Sequence, residues 1–95
     1  MAFIQVLDFR SNDIDTVMKS HQDWLAATEG KRTIRREIIA RDRNDPSHYV
    51  VLAFFDSYES AMENSALPET QESAAAMAAA TEGMTFLDLD IIDEA

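Results

Sequence analysis

Hydrophobic and polar positions along the chain repeat with two different periods, and the changes of period divide it into elements. Residues 3–9 (FIQVLDF), 32–42, 48–56 and 84–92 are rich in β-branched and aromatic residues, which is typical of strands. Between the first two runs, residues repeat at the i, i+3, i+4, i+7 spacing of an amphipathic helix. This stripe consists of Ile14, Val17, Met18, His21, Trp24, Leu25 and Thr28.

A proline interrupts the second helical region, which lies between the third and fourth strands. Asp56 or Ser57 is the predicted N-cap, and Glu59 stands three residues after Asp56 in capping-box spacing. The helix resumes with Pro68 near its first position, where proline is tolerated. We therefore predict a kink or a loop within residues 62–70 (MENSALPET).

The pentapeptide AATEG occurs twice, at residues 26–30 and 79–83. Each copy is predicted to close a helix, because Gly30 and Gly83 can adopt the left-handed conformation without strain. The stretches DFRS (8–11) and FFDS (54–57) both mark a strand that leads into a helix. The chain therefore consists of two βαβ units, and the second holds about seven extra residues around its proline.

The order βαββαβ predicts one α+β domain over residues 1–95, with a ferredoxin-like antiparallel four-stranded sheet in the order 4-1-3-2. Two helices cover only one face of such a sheet, yet both faces carry apolar residues. An apolar face without a cover normally marks an interface, and a second copy of the chain is its simplest partner. The alternation is clearest in the third strand, where Val50, Leu52 and Phe54 oppose Tyr49, Val51, Ala53 and Phe55.

Composition narrows the possible partners. The formal net charge is −10, from 18 acidic and 8 basic residues, which argues against nucleic acid and anionic membranes as partners. The chain has no cysteine, so disulfides, thiolate catalysis and cysteine metal sites are excluded. No apolar run approaches the length of a membrane span, and no spacing of acidic residues and histidines indicates a metal site. We expect a cytoplasmic protein.

The run FFDSYESAMENSALPET at residues 54–70 carries a family resemblance, together with the length, the element order and the paired apolar faces. The chain resembles the dimeric α/β-barrel superfamily, and within it the small antibiotic-biosynthesis-monooxygenase-like domains of uncharacterised actinobacterial type. The resemblance covers nearly the whole chain and implies a homodimer with a cleft in each protomer. Some members are cofactor-independent oxygenases of polyketide quinones, so the resemblance implies no cofactor. Haem-degrading members carry a tryptophan in the second helical region. The only tryptophan here is Trp24, in the first helix, which argues against haem degradation.

Four residues are candidates for chemistry in that cleft. His21 could transfer protons, because only histidine has an unperturbed pKa near neutrality, or it could be a packed histidine. Trp24 could orient a flat substrate or fill the core. Asn64 could hold a carbonyl or an enolate, or it could be a cap or a turn residue. Tyr58 could bind substrate or have a purely structural role, and His48, at a turn, is expected to be exposed.

Two functions are compatible with these features. The first is a cofactor-independent monooxygenase-like enzyme acting on a planar aromatic or polyketide-type substrate, in which His21, Trp24 and Asn64 approach one cavity. The second is a non-catalytic dimeric module that binds a ligand or is associated with stress, with His21 and Trp24 as packing residues. A cavity of about 300 Å³ or more would favour a ligand site.

Overall fold

The computed structural model describes residues 2–95 and has the predicted α+β, ferredoxin-like architecture. Its four strands form one antiparallel sheet in the order β2-β3-β1-β4, which is the predicted order. The second helical region contains two helices. The elements are β1 (Phe3–Arg10), α1 (Ile14–Ala27), β2 (Arg36–Arg41), β3 (His48–Phe55), α2 (Tyr58–Ala66), α3 (Pro68–Ala80) and β4 (Glu82–Asp90).

Side-chain caps fix where the first two helices begin. The Asp13 carboxylate accepts a hydrogen bond from the backbone N–H of Thr16 at 3.3 Å. The Ser57 hydroxyl accepts one from the backbone N–H of Ser60 at 3.0 Å, so Ser57 rather than Asp56 caps α2. Each cap satisfies a donor that the first turn of a helix leaves without a partner.

The predicted break in the second helical region is confirmed. Leu67 is extended, with φ −61° and ψ 134°, and Pro68 is the first residue of α3. The ring of a proline disfavours the helical conformation in the residue before it, and proline has no N–H to continue the hydrogen-bond ladder. The helical region therefore stops at Ala66 and restarts at Pro68.

The two AATEG copies share a local structure but occupy different places relative to the elements around them. In each, the threonine hydroxyl donates to a carbonyl four residues earlier: Thr28 to Trp24 at 2.6 Å, and Thr81 to Met77 at 2.8 Å. Both glycines have positive φ, +80° and +64°. Each copy closes its helix as predicted, since α1 ends at Ala27 and α3 ends at Ala80. The glycine itself does not stop α3, because Gly83 lies inside β4.

One face of the sheet packs on the helices and the other does not. Along β3, Tyr49, Val51, Ala53 and Phe55 are buried toward the helices, and they join Phe3 and Phe9 of β1 in the core. The alternate residues point to the opposite side. We call this side the outer sheet face; its apolar residues are Ile4, Val6, Ile38, Val50, Leu52, Phe54, Leu87 and Leu89.

Helix α3 is held to the sheet at only one end. Near its C-terminus, Met77 and Ala80 pack against the core cluster around Phe9 and Val51. No residue of α3 is fully buried, so its N-terminal half leaves space above the sheet. Within residues 2–95, no helix combines the length and the apolar character that crossing a bilayer requires.

Candidate functional site

A cavity of about 400 Å³ lies between the helix side of the sheet and the three helices. This volume lies within the range of small-molecule sites. His21, Trp24 and Asn64 all contribute to its wall, which confirms that these three residues share one cavity. The other lining residues are Gln5, Leu7, Ile34, Glu37, Val51, Ala53, Phe55, Ser65, Thr70, Gln71, Ser73, Ala74, Met77, Ala78, Met84 and Phe86.

The register of the sheet explains the floor of the cavity. Glu37 pairs with Ala53, and Ala53 pairs with Gln5, so these three residues form one row across β2, β3 and β1. Neighbouring strands are about 4.8 Å apart, which separates the Glu37 and Gln5 backbones by about 10 Å. The small side chain of Ala53 stands between them. The floor thus has a polar group at each side and an open middle.

Helix α1 supplies an aromatic pair to the wall. His21 and Trp24 are one turn apart, and their rings stack with centroids 5.9 Å apart and planes inclined by 22°. Trp24 is only 8% exposed, and its indole Nε1–H donates to the Thr70 hydroxyl at 2.9 Å. This hydrogen bond ties α1 to the first turn of α3. It satisfies the one polar group of a side chain that is otherwise apolar.

His21 is also paired with a carboxylate that the sequence analysis did not single out. Its Nε2 lies 2.8 Å from Oε1 of Glu37, and both side chains are largely shielded, with 16% and 22% of their surface exposed. The sequence does contain a signal for Glu37. Glu37 and Ile39 are two residues apart in β2 and therefore share the inward face of the strand. A carboxylate at an inward position needs a partner.

Asn64 lies in the last turn of α2 and is 6% exposed. Its Oδ1 accepts a hydrogen bond from the backbone N–H of Thr33 at 3.1 Å, and the Thr33 hydroxyl donates to the Ser60 carbonyl at 2.6 Å. These bonds dock Thr33 on α2. The strand β2 begins at Arg36 rather than at the predicted residue 32. The bond from Thr33 also identifies the oxygen end of the Asn64 amide, and no hydrogen bond from its NH₂ group is found among residues 2–95.

Tyr58 does not reach the cavity. It is the first residue of α2, whereas Asn64 lies almost two turns further along. Its ring stands edge-on against Phe3, with centroids 5.5 Å apart and planes inclined by 81°, and 49% of the residue is exposed. The structure therefore gives Tyr58 a packing contact and does not bring it to the other three candidates.

His48 is not the exposed turn residue that the sequence suggested. It is the first residue of β3, and it lies between two carboxylates, with Nδ1 2.9 Å from Asp42 and Nε2 2.8 Å from Asp8. Hydrogen bonds to Asp42 and then to Asp8 raise the pKa of His48. The bond to His48 also lowers the pKa of Asp42. This cluster is separate from the cavity wall.

Comparisons with known proteins give a fold but no sequence family. No protein-family model and no curated protein matches the chain. Solved structures match it over nearly its full length. SnoaB, a cofactor-independent oxygenase from Streptomyces nogalater, has a TM-score of 0.83 at 15% identity, with 98% of this chain and 95% of SnoaB covered.

Two further structures have the same fold at similarly low identity. A candidate antibiotic biosynthesis monooxygenase from Caulobacter crescentus has a TM-score of 0.83 at 16% identity, with 97% of this chain and 91% of that chain covered. A conserved protein from Methanosarcina mazei has a TM-score of 0.82 at 9% identity, with 94% and 91% covered. The chain thus has the fold of antibiotic-biosynthesis-monooxygenase-like proteins, as the sequence resemblance implied. At this identity the likeness establishes the fold and not an activity.

Proposed function

We propose that the protein is a cofactor-independent, monooxygenase-like enzyme that binds a planar aromatic or polyketide-type molecule in the cavity. The observation that carries the proposal is that His21, Trp24 and Asn64 line one cavity of about 400 Å³ whose wall is mostly apolar. A flat apolar ligand gains from leaving water in such a site, and the few polar groups set its orientation. The fold shared with SnoaB supports the same function.

Each candidate residue has a definite task in this proposal. The aromatic pair of Trp24 and His21 supplies a wall against which a flat ring can pack. His21 accepts a proton from the substrate. The NH₂ group of Asn64 donates to the oxygen on which the resulting negative charge collects, because preorganised donors stabilise charge as it develops. Tyr58 has no task in this reaction.

The reaction itself uses molecular oxygen as the oxidant. Loss of a proton from a ring CH₂ group leaves a delocalised carbanion, which reduces O₂ and forms a C–O bond. Protonation of the peroxide oxygen gives a hydroperoxide, which loses water to leave a carbonyl group. One substrate and one O₂ therefore yield one ketone and one water, and the protein contributes the shaped site and the stabilisation of the anion.

Oxygen uptake with anthrone, a tricyclic ketone with an acidic ring CH₂ group, tests the proposal. We expect wild-type protein to accelerate uptake, and Asn64→Asp to slow it by about a hundredfold, the effect of losing one oxyanion donor. The carboxylate introduced by this substitution would keep an oxygen for the Thr33 N–H, so the fold should be retained. No acceleration over the protein-free reaction would contradict enzymatic function.

A non-catalytic dimeric module that binds a ligand, or is associated with stress, is the second candidate. Its support is that the Trp24 indole N–H already has a partner in Thr70 and the His21 Nε2 already lies beside Glu37. Both groups then have structural partners without a substrate. Saturable binding of a planar aromatic without any oxygen uptake would favour this candidate.

We further propose that a homodimer forms through the outer sheet face. Its central residues, Val50, Leu52 and Phe54, are only partly exposed, whereas Leu87 and Leu89 on β4 are 58% and 42% exposed. A contiguous apolar face of this kind is typical of an interface. A cytoplasmic location remains a prediction.

A further inference from the structure

Within the described part of the chain, the wall of the cavity contains a carboxylate but no permanently positive side chain. Among the lining residues that the structure describes, the only titratable side chains are His21 and Glu37, and none is a lysine or an arginine. Arg32 does approach the site, with its guanidinium 5.9 Å from the Trp24 ring centroid. Its Nη1 donates to the Leu25 carbonyl at 2.7 Å, so Arg32 is engaged outside the cavity.

This arrangement disfavours ligands that carry a negative charge. An anion in the cavity would lie near the Glu37 carboxylate without a permanent cation to pair with, in a site of reduced dielectric where charges interact strongly. The chain as a whole carries a formal charge of −10, which adds to the repulsion. A neutral hydroxyl group meets no such penalty and can hydrogen-bond to the remaining polar groups.

The pairing of His21 also determines which of its nitrogens a ligand can meet. Nε2 lies 2.8 Å from the Glu37 carboxylate, an arrangement that favours the proton on Nε2 in the neutral ring. The second nitrogen, Nδ1, is then a lone-pair acceptor. An imidazole held in this way accepts a hydrogen bond or a proton from a hydroxyl group, and the adjacent carboxylate stabilises the imidazolium that forms.

We propose that Glu37 determines the ligand specificity of the cavity and positions His21. The pair admits neutral, hydroxyl-bearing planar rings and excludes carboxylated ones. The proton of the hydroxyl passes to Nδ1, the O–H electron pair stays on oxygen, and Nε2–H remains directed at Glu37. This inference rests on the proposed function, since loss of the hydroxyl proton from the enol form of a cyclic ketone gives the same delocalised anion as loss from its CH₂ group.

Equilibrium binding of two matched ligands tests the inference independently of turnover. Naphthol and naphthoate share a ring system and differ in charge, and fluorescence of the single tryptophan, Trp24, reports binding in the cavity. We expect wild-type protein to bind naphthol at least about tenfold more tightly than naphthoate. Glu37→Gln should reduce this ratio to about threefold or less, mainly by tightening naphthoate binding.

Glu63→Gln is the matched control, because Glu63 is exposed on α2 and does not line the cavity. It removes the same charge and should leave the ratio unchanged. Equal binding of naphthol and naphthoate to wild type, or an unchanged ratio in Glu37→Gln, would overturn the inference. An identical fall of the ratio in both variants would also overturn it, because the effect would then come from net charge alone.

If Glu37→Gln does not fold, nitrogen-15 spectra of His21 in the wild-type protein give the second measurement. We expect Nε2 to carry the proton in the free protein, and the Nδ1 resonance to move toward the protonated value when naphthol is added. A proton on Nδ1 in the free protein would contradict the positioning role of Glu37. Selective naphthol binding, combined with no acceleration of oxygen uptake by anthrone, would leave this inference intact and contradict the oxygenase proposal.

Discussion

Nε2 of His21 and Oε1 of Glu37 lie 2.8 Å apart at the wall of the cavity, although the two residues belong to α1 and β2. The contact joins the inner stripe of a helix to the inward row of a strand at the edge of the sheet. It places the only two titratable lining groups among the described residues side by side. The chemistry available to the cavity therefore depends on this pair and on the Asn64 amide.

The size of residue 53 controls the capacity of the cavity. Ala53→Val adds two methyl groups to the middle of the floor and should abolish naphthol binding while the fold is retained. Overpacking of this kind costs about 1–3 kcal/mol. Ala61→Val is the control, because Ala61 is also buried in the same core cluster but does not line the cavity. Ala61→Val should cost similar stability and keep binding; equal loss of binding in both variants would argue against the cavity as the site.

The hydrogen bond from Trp24 to Thr70 should hold the start of α3 in place. Thr70→Val keeps the shape of the side chain but leaves the indole N–H without its partner, which should cost about 1–3 kcal/mol in the free energy of unfolding. Thr70→Ser retains the hydroxyl and should cost less. Chemical denaturation measures both, and amide exchange should show faster opening of residues 68–74 in Thr70→Val alone. Identical stability of the two variants would show that the hydrogen bond contributes nothing.

The cluster around His48 predicts a pH dependence of stability. The pKa of His48 is raised in the folded protein by its bonds to Asp42 and Asp8, so its contribution is full below the unfolded pKa and disappears as pH rises through the folded pKa. The pKa of Asp42 is lowered, so its contribution disappears as pH falls through that lowered value. The stability difference between wild type and His48→Gln should be larger near about pH 6 than near about pH 9. A difference that does not change with pH would contradict this.

The outer sheet face predicts the oligomeric state. Sedimentation at micromolar concentration should give about twice the 10.7 kDa chain mass. Leu52→Asp places a charge in the centre of this face and should give monomers, because an unpaired charge buried in an apolar interface is strongly unfavourable. Ala75→Asp introduces the same charge at an exposed position of α3 and should leave the mass unchanged. A wild-type protein that stays monomeric at every concentration would exclude the homodimer.

Local patterns account for what could be predicted from the sequence. The alternation in β3, the stripe in α1 and Pro68 each depend on residues close together in the chain, and they led to the correct element order and sheet order. The placement of Gly83 was wrong because a glycine with positive φ fits an irregular strand start as well as a helix end. Within the site, His21 and Trp24 were found from the helix period.

The parts of the site that could not be predicted depend on contacts between distant residues. Glu37 is recognisable as a partner of His21 only when the register of β2 against β3 is known. Thr70 becomes the partner of Trp24 only because α3 restarts at Pro68 and packs on α1. Tyr58 was misplaced because its six-residue separation from Asn64 puts the two on different sides of α2, and its ring packs against Phe3 of β1 instead. His48 is held by Asp8, which is 40 residues away.

Titration of nitrogen-15-labelled wild-type protein with naphthol tests the central claim most directly, because it asks whether the cavity is a ligand site. We predict that the Trp24 indole, the His21 ring and the Asn64 side-chain amide shift together with a single dissociation constant, while Tyr58 and the outer sheet face remain unchanged. No saturable shift at these three groups, or shifts confined to the outer sheet face, would contradict the assignment of the cavity as the functional site.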